Sequence, residues 1–202
     1  MSAPSEDVRS AVREKILSVA RELFYRDGIR AVGVDTIVQH SGAAKTSLYR
    51  WFPSKDDLIA AFLEQENAEF WSHWDKVAAK HLGQPREELS AHLKWLTGYI
   101  GGPKFRGCPF LNATAEFPDP AHKARAVCRA NKSELKRRLI ALAKGIEAPD
   151  PERLASQLTL LIDGAFSNSQ VLGKGGPATE LARAGEALIE GVPRVAKAAR
   201  AK

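Results

Sequence analysis

The stretch Val34–Leu58, VDTIVQHSGAAKTSLYRWFPSKDDL, constrains this chain more than any other. It holds a short helix, a glycine turn, a second short helix, and a Pro-Ser-Lys entry into a third. Gly42 falls at the turn, where a residue without a Cβ reverses the backbone at little steric cost. Ile37, Val38 and Leu48 are the packing positions of the two helices. Two short helices joined in this way form the unit that lays its second helix in a DNA major groove. That second helix, Ala44 to about Trp51, offers Lys45, Thr46, Ser47, Tyr49 and Arg50 near its start. Such side chains hydrogen-bond base edges and phosphate oxygens.

The flanks support the same unit. From about Asp7 to Arg26, Val8, Val12, Ile16, Val19, Ala20, Leu23 and Phe24 recur at three- and four-residue steps, the stripe of an amphipathic helix. Asp27-Gly28 ends that helix. Downstream, Ser54 is placed to cap a third helix with Asp57 as its capping-box partner. Lys55 joins the helix-start amides there to make an anion site.

The run of a helix, Asp-Gly, then Ile37, Gly42, Leu48-Tyr49, Phe52, Ser54-Lys55 and Leu58 resembles the tetracycline-repressor (TetR) family of bacterial transcription regulators. The resemblance implies an all-α protein of about nine helices. Residues 1–55 would be a three-helix helix-turn-helix DNA-binding head, and residues 56–202 a helical ligand-binding and dimerisation body. By matched position, Lys45, Thr46, Ser47, Tyr49 and Trp51 would face DNA, and Lys55 would meet a phosphate. Core packing is an equal reading for Trp51. Gly33 departs from the family pattern, which has Thr or Ser capping the first reading helix; Thr36, one turn on, could take over the phosphate contact. Asp35 is also unusual beside phosphates. It either complements the helix dipole, the favoured reading, or accepts from a cytosine amino group.

Beyond Lys55, periodicity predicts helices over about 55–81, 86–100, 110–117, 121–144, 151–172 and 178–189. Pro85 suits the first turn of one of them. Lys132, Lys136, Arg137 and Arg138 read as a solvated basic face, and residues 1–6 and 193–202 as fraying ends. The last two helices carry Leu158, Ile162, Phe166, Leu181, Ala184 and Leu188, a stripe suited to pairing with a second copy. A monomer could instead bury that stripe in its own core. The family resemblance favours the homodimer, in which two heads read two half-sites of a double-stranded operator.

The resemblance also implies a small-molecule effector held in the middle of the body. Candidate pocket liners are Phe70, Trp71, Trp74, Trp95, Tyr99, Phe105, Cys108, Phe110, Asn112, Phe166 and Asn168, since aromatic walls with a few polar atoms describe most small-molecule sites. For each aromatic taken singly, core packing is the favoured reading. Cys108, with Arg106 nearby, could sense oxidants or electrophiles; an inert buried thiol is the alternative, and the one favoured.

Composition sets the outer limits. The 202 residues carry 30 Lys+Arg against 24 Asp+Glu, a net charge of +6, which suits a polyanionic partner. Residues 1–55 hold nine of those bases and six acids, leaving 21 against 18 elsewhere, so the excess is not concentrated in the head. Spacing, not charge, carries the DNA reading. Two cysteines are too few for a disulfide framework, no apolar run approaches a membrane span, and the N-terminus lacks a signal-peptide core, so a cytoplasmic protein is expected. No phosphate loop, nucleophile elbow or metalloprotease motif suggests an enzyme, and no cofactor is implied. Glu66, Glu69 and His73 are a weak metal constellation, and none is assigned. An architectural protein binding DNA without sequence preference is the remaining rival.

Overall fold

A computed structural model of the protein describes residues 6–173 and 175–193, and of residues 6–9 the backbone alone. The arm through residue 5, the tail from residue 194 and the Val8 side chain therefore lie outside the described residues. Among those described, the chain is all-helical: α1 Glu6–Asp27, α2 Val34–Ser41, α3 Lys45–Trp51, α4 Lys55–Ala78, α5 Pro85–Ile100, α6 Pro109–Glu116, α7 Lys123–Gly145, α8 Pro151–Leu172 and α9 Leu181–Glu190.

These helices divide into two compact units, Met1–Glu69 with Pro109–Asn131, and Phe70–Cys108 with Lys132–Lys202. The cut differs from a division at residue 55, because α6 and the start of α7 group with the N-terminal helices. Helices α4 and α7 run from one unit into the other.

In the first unit, α1 packs on both α2 and α3. Its stripe residues Ile16, Ala20, Leu23 and Phe24 are buried, as are Ile37, Leu48, Phe52, Leu58 and Phe62 of the same unit. Phe24 and Phe62 pack with ring centroids 5.7 Å apart. Ile37 and Leu48 have no exposed surface, so truncating either to Ala costs about 2–5 kcal/mol. Gly28 (φ 95°) and Gly42 (φ 63°) end α1 and α2 in conformations that L side chains rarely adopt.

In the second unit, α9 packs against α5 and α8. Gly185 makes the first contact possible, since a Cβ there would fall 2.5 Å from Leu93 Cδ1. Pro85 occupies the first turn of α5, as its fixed φ and missing N–H favour. Pro151 does the same for α8, where the Asp150 side chain accepts from the Arg153 amide. The residues before α9 form a 3-10 turn, Pro177–Glu180, where the sequence suggested α-helix from Ala178. Leu158 (0%), Ile162 (3%), Phe166 (5%) and Leu181 (3%) are buried within their own chain. Ala184 and Leu188, the other two stripe residues, are half-buried. The large apolar side chains that α8 leaves exposed are Leu160, Val171 and Leu172.

The basic face of α7 is also not simply solvated. Lys132 pairs with Asp163 at 2.5 Å, Arg137 with Glu134 at 2.6 Å, and Arg138 with both Glu134 and Asp75. The Arg138 guanidinium also lies 4.4 Å from the Trp71 ring centroid. Hydrogen bonding to Arg137, above all, holds the Glu134 carboxyl down at about 2.

Candidate nucleic-acid interface

Helix α3 is anchored on one side and open on the other. Leu48 has no exposed surface, while Lys45, Thr46, Tyr49 and Arg50 are exposed. Ser47 and Trp51 are half-buried, so Trp51 divides its ring between packing and solvent. Thr36 is exposed on the first turn of α2. The missing hydroxyl at position 33 has its expected consequence: Gly33 precedes α2 with no side-chain cap. Ala44 likewise gives α3 no side-chain cap. Both helix starts leave backbone donors for an external acceptor.

Asp35 does more than face a helix dipole. Its Oδ1 lies 2.7 Å from the Lys45 Nζ and links the first turns of α2 and α3. The hydrogen bond to Asp35, followed by its charge, raises the Lys45 pKa.

At the start of α4, Ser54 accepts from the Asp57 amide at 3.1 Å and donates its hydroxyl to Asp57 Oδ2 at 2.7 Å. Lys123 bonds the other Asp57 oxygen at 2.5 Å, and this contact leads the causes that lower the Asp57 pKa. Lys55 is turned inward. Its ammonium donates to the Ile29 carbonyl at 2.8 Å and lies 5.9 Å from the Phe24 ring centroid, and burial lowers its pKa. This lysine steadies the turn before α2, a task that spacing alone did not suggest.

The same peptide segment is held from its other side. Glu116, at the end of α6, accepts from the amides of Ile29 at 3.1 Å and Arg30 at 2.7 Å. Ile29 therefore has its N–H on Glu116 and its C=O on Lys55. Pairing a residue near 30 with one near 116 leaves no periodic trace, so sequence reasoning missed it. Arg21 is a second long-range clamp, bonding both Glu66 and Glu69. Those two carboxylates of the weak metal constellation face an arginine, while the His73 ring stacks on Trp95 in the second unit.

Most of the expected pocket liners fall in the second unit and touch one another. Phe70 packs on Trp71 at 4.9 Å and Trp95 at 5.4 Å; Trp95 continues to Tyr99, which meets Phe105 at 5.6 Å and Phe166 at 6.1 Å. Trp74 stacks on His92 at 3.6 Å. Burial, the leading cause, lowers the His92 pKa to about 3, and its Nε2 lies 3.3 Å from Glu88 Oε1. Asn168 bonds back to Gly164 O at 2.8 Å, and Cys108 is buried. Phe110 and Asn112 belong to the first unit. A separate groove of about 520 Å³ lies between α5 and α9, bordered by Arg86, Lys94, Glu87 and Glu186, and by none of the expected liners. Among the described residues, no helix is long and apolar enough to cross a membrane.

This arrangement has relatives. Residues 16–62 match the family described as bacterial regulatory proteins, tetR family. A TetR-type transcriptional regulator from Streptomyces avermitilis is 32% identical, with 90% of this chain aligned to 97% of that one at a TM-score of 0.74. The chain belongs to the TetR family. It is accordingly a DNA-binding transcriptional regulator rather than an enzyme. A TetR-family regulator from Streptomyces coelicolor is 28% identical over 90% of this chain and 94% of its own, at a TM-score of 0.81. The regulator QacR of Staphylococcus aureus is 30% identical over 57% of this TetR-family chain and 58% of its own length.

Proposed function

We propose that this TetR-family regulator is a cytoplasmic repressor that binds a palindromic operator as a homodimer and is released by a small-molecule effector. The observation that carries the reading is α3, fixed by fully buried Leu48 and presenting Lys45, Thr46, Tyr49 and Arg50 to solvent. Residues 1–55 act as the reading head. Lys45, Thr46 and Ser47 meet base edges, while Thr36, Tyr49 and Arg50 meet phosphates, with Trp51 packing at the groove edge. Lys55 acts chiefly through Ile29, keeping the entry to α2 in place.

One short helix gives little affinity; two copies related by a two-fold axis read half-sites about one DNA turn apart. Exposed Leu160 and Val171, on one face of α8 with Gly164 between them, support pairing through that helix. The aromatic group running from Phe70 through Trp95 to Phe166 supports an apolar, ring-bearing effector. Such a ligand releases DNA by as much as it prefers the state with the wrong head spacing. Burial of Cys108 supports an inert thiol over a sensor, because reactive cysteines are accessible.

A footprint on DNA flanking the protein's own gene, at stated salt, tests the reading. A protected palindrome that disappears with cell extract or a purified effector is the expected result. Uniform, unprotected DNA in both conditions overturns it.

A further inference from the structure

Asp35 places a carboxylate on the face that would meet a polyanion. It stands in the first turn of α2 with its side chain 82% exposed, against Lys45 in the first turn of α3 at 53%. An ion pair this open to water adds little to folding. Helices α2 and α3 are in any case held by buried Ile37 and Leu48 and the left-handed turn at Gly42. The carboxylate also repels phosphates, so it weakens general attraction to DNA. A feature that lowers general affinity and adds little stability is accounted for by selectivity.

The chemistry of the pair fits one base pair. Lys45 spends one of its three N–H groups on Asp35 Oδ1, and the carboxylate keeps further lone pairs to accept with. The two side chains thus present a donor beside an acceptor at the start of the reading helix. In the major groove a G·C pair shows acceptors at guanine N7 and O6 beside a donor at cytosine N4. An A·T pair places the thymine O4 acceptor where the cytosine donor would be, against a carboxylate.

We propose that Asp35 is a specificity-determining residue. With Lys45 it forms a preset donor–acceptor pair that reads a G·C base pair, Lys45 on the guanine edge and Asp35 on the cytosine amino group. This rests on the DNA-reading function proposed above. A second consequence follows from the same contact: the ammonium engaged by Asp35 is withheld from phosphates.

The test uses the full-length protein and a pool of randomised duplex DNA, with wild type, Asp35→Ala and Asp35→Asn selected in parallel at stated salt. Wild type selects G·C at one fixed position in each half-site. Asp35→Ala loses that preference by about tenfold, at the lower end of what a base-edge contact confers. It also binds a scrambled duplex more tightly, with a salt slope steeper by about one ion as Lys45 turns to phosphate. Asp35→Asn, which donates as well as accepts, admits A·T at that position. The proposal is overturned if Asp35→Ala selects the same base with undiminished preference. It is equally overturned if Asp35→Ala weakens all duplexes in proportion, the mark of a simple clip between helices. A wild type that selects no sequence at all removes the DNA-reading function itself, a result distinct from either.

Discussion

Replacing Glu116 with Ala should loosen the entry to the reading helices by an amount the geometry sets. The carboxylate accepts from two successive amides, Ile29 at 3.1 Å and Arg30 at 2.7 Å. Ile29 is only 2% exposed, so losing its acceptor leaves a buried N–H without a partner, at a cost of about 1–3 kcal/mol. Arg30 is exposed, and water replaces most of its bond. The total is about 2 kcal/mol, which for a chain of this size lowers Tm by roughly 4–8 °C. Glu116→Gln keeps one acceptor oxygen but sets an NH2 opposite the second amide, so it should fall between the two. Amide hydrogen exchange gives the sharper assay, since a 2 kcal/mol loss speeds exchange at Ile29 by roughly 30-fold if local opening governs it. Because this turn leads into α2, the same variant should weaken binding to all duplexes alike. Unchanged Ile29 exchange and Tm in Glu116→Ala would refute the two-sided hold on this peptide.

Acid should destabilise the protein partly through His92, whose folded-state pKa of about 3 lies below the ordinary 6.5. The unfolded chain takes up the proton first, so this contribution is full above about pH 6.5 and is lost as pH falls toward 3, at up to about 1.4 kcal/mol per unit. Denaturant titrations across that window should show a shallower slope for His92→Gln, and parallel slopes would contradict the assignment. Gly185→Ala drives a Cβ to within 2.5 Å of Leu93 Cδ1 and should cost about 1–3 kcal/mol by overpacking; an unchanged Tm would mean Leu93 swings aside freely. Tyr49→Phe removes one exposed hydroxyl and should weaken operator and scrambled duplexes by similar factors, whereas altered base preference would reassign Tyr49 from phosphate to base.

What the sequence made legible was local. The two reading helices, the turn at Gly42, the Ser54 cap and the full extent of α8 each follow from spacing and single-residue backbone preferences. So did the absence of a cap at Gly33. What escaped depends on residues far apart in the chain. Periodicity finds an apolar stripe but not its partner, so Leu158, Ile162, Phe166 and Leu181 suited a dimer seam yet are buried by their own chain. Lys55 looked like an anion ligand because helix starts attract anions, but the Ile29 carbonyl lies within its reach. Arg138 reads as solvated from its place in a basic run, yet Asp75, Glu134 and Trp71 surround it. Asp35 was legible as an oddity, while its partner Lys45 required the turn to be folded.

The central claim is that α3 reads sequence rather than merely attracting phosphate. The most direct measurement compares wild-type affinity for a selected palindromic duplex and for its scrambled counterpart at one stated salt concentration, with the mass of each complex recorded. Two chains per palindrome and a preference of roughly a thousandfold or more are expected of a specific regulator. Equal affinity for both duplexes, with protein coating either one in proportion to its length, would contradict the claim.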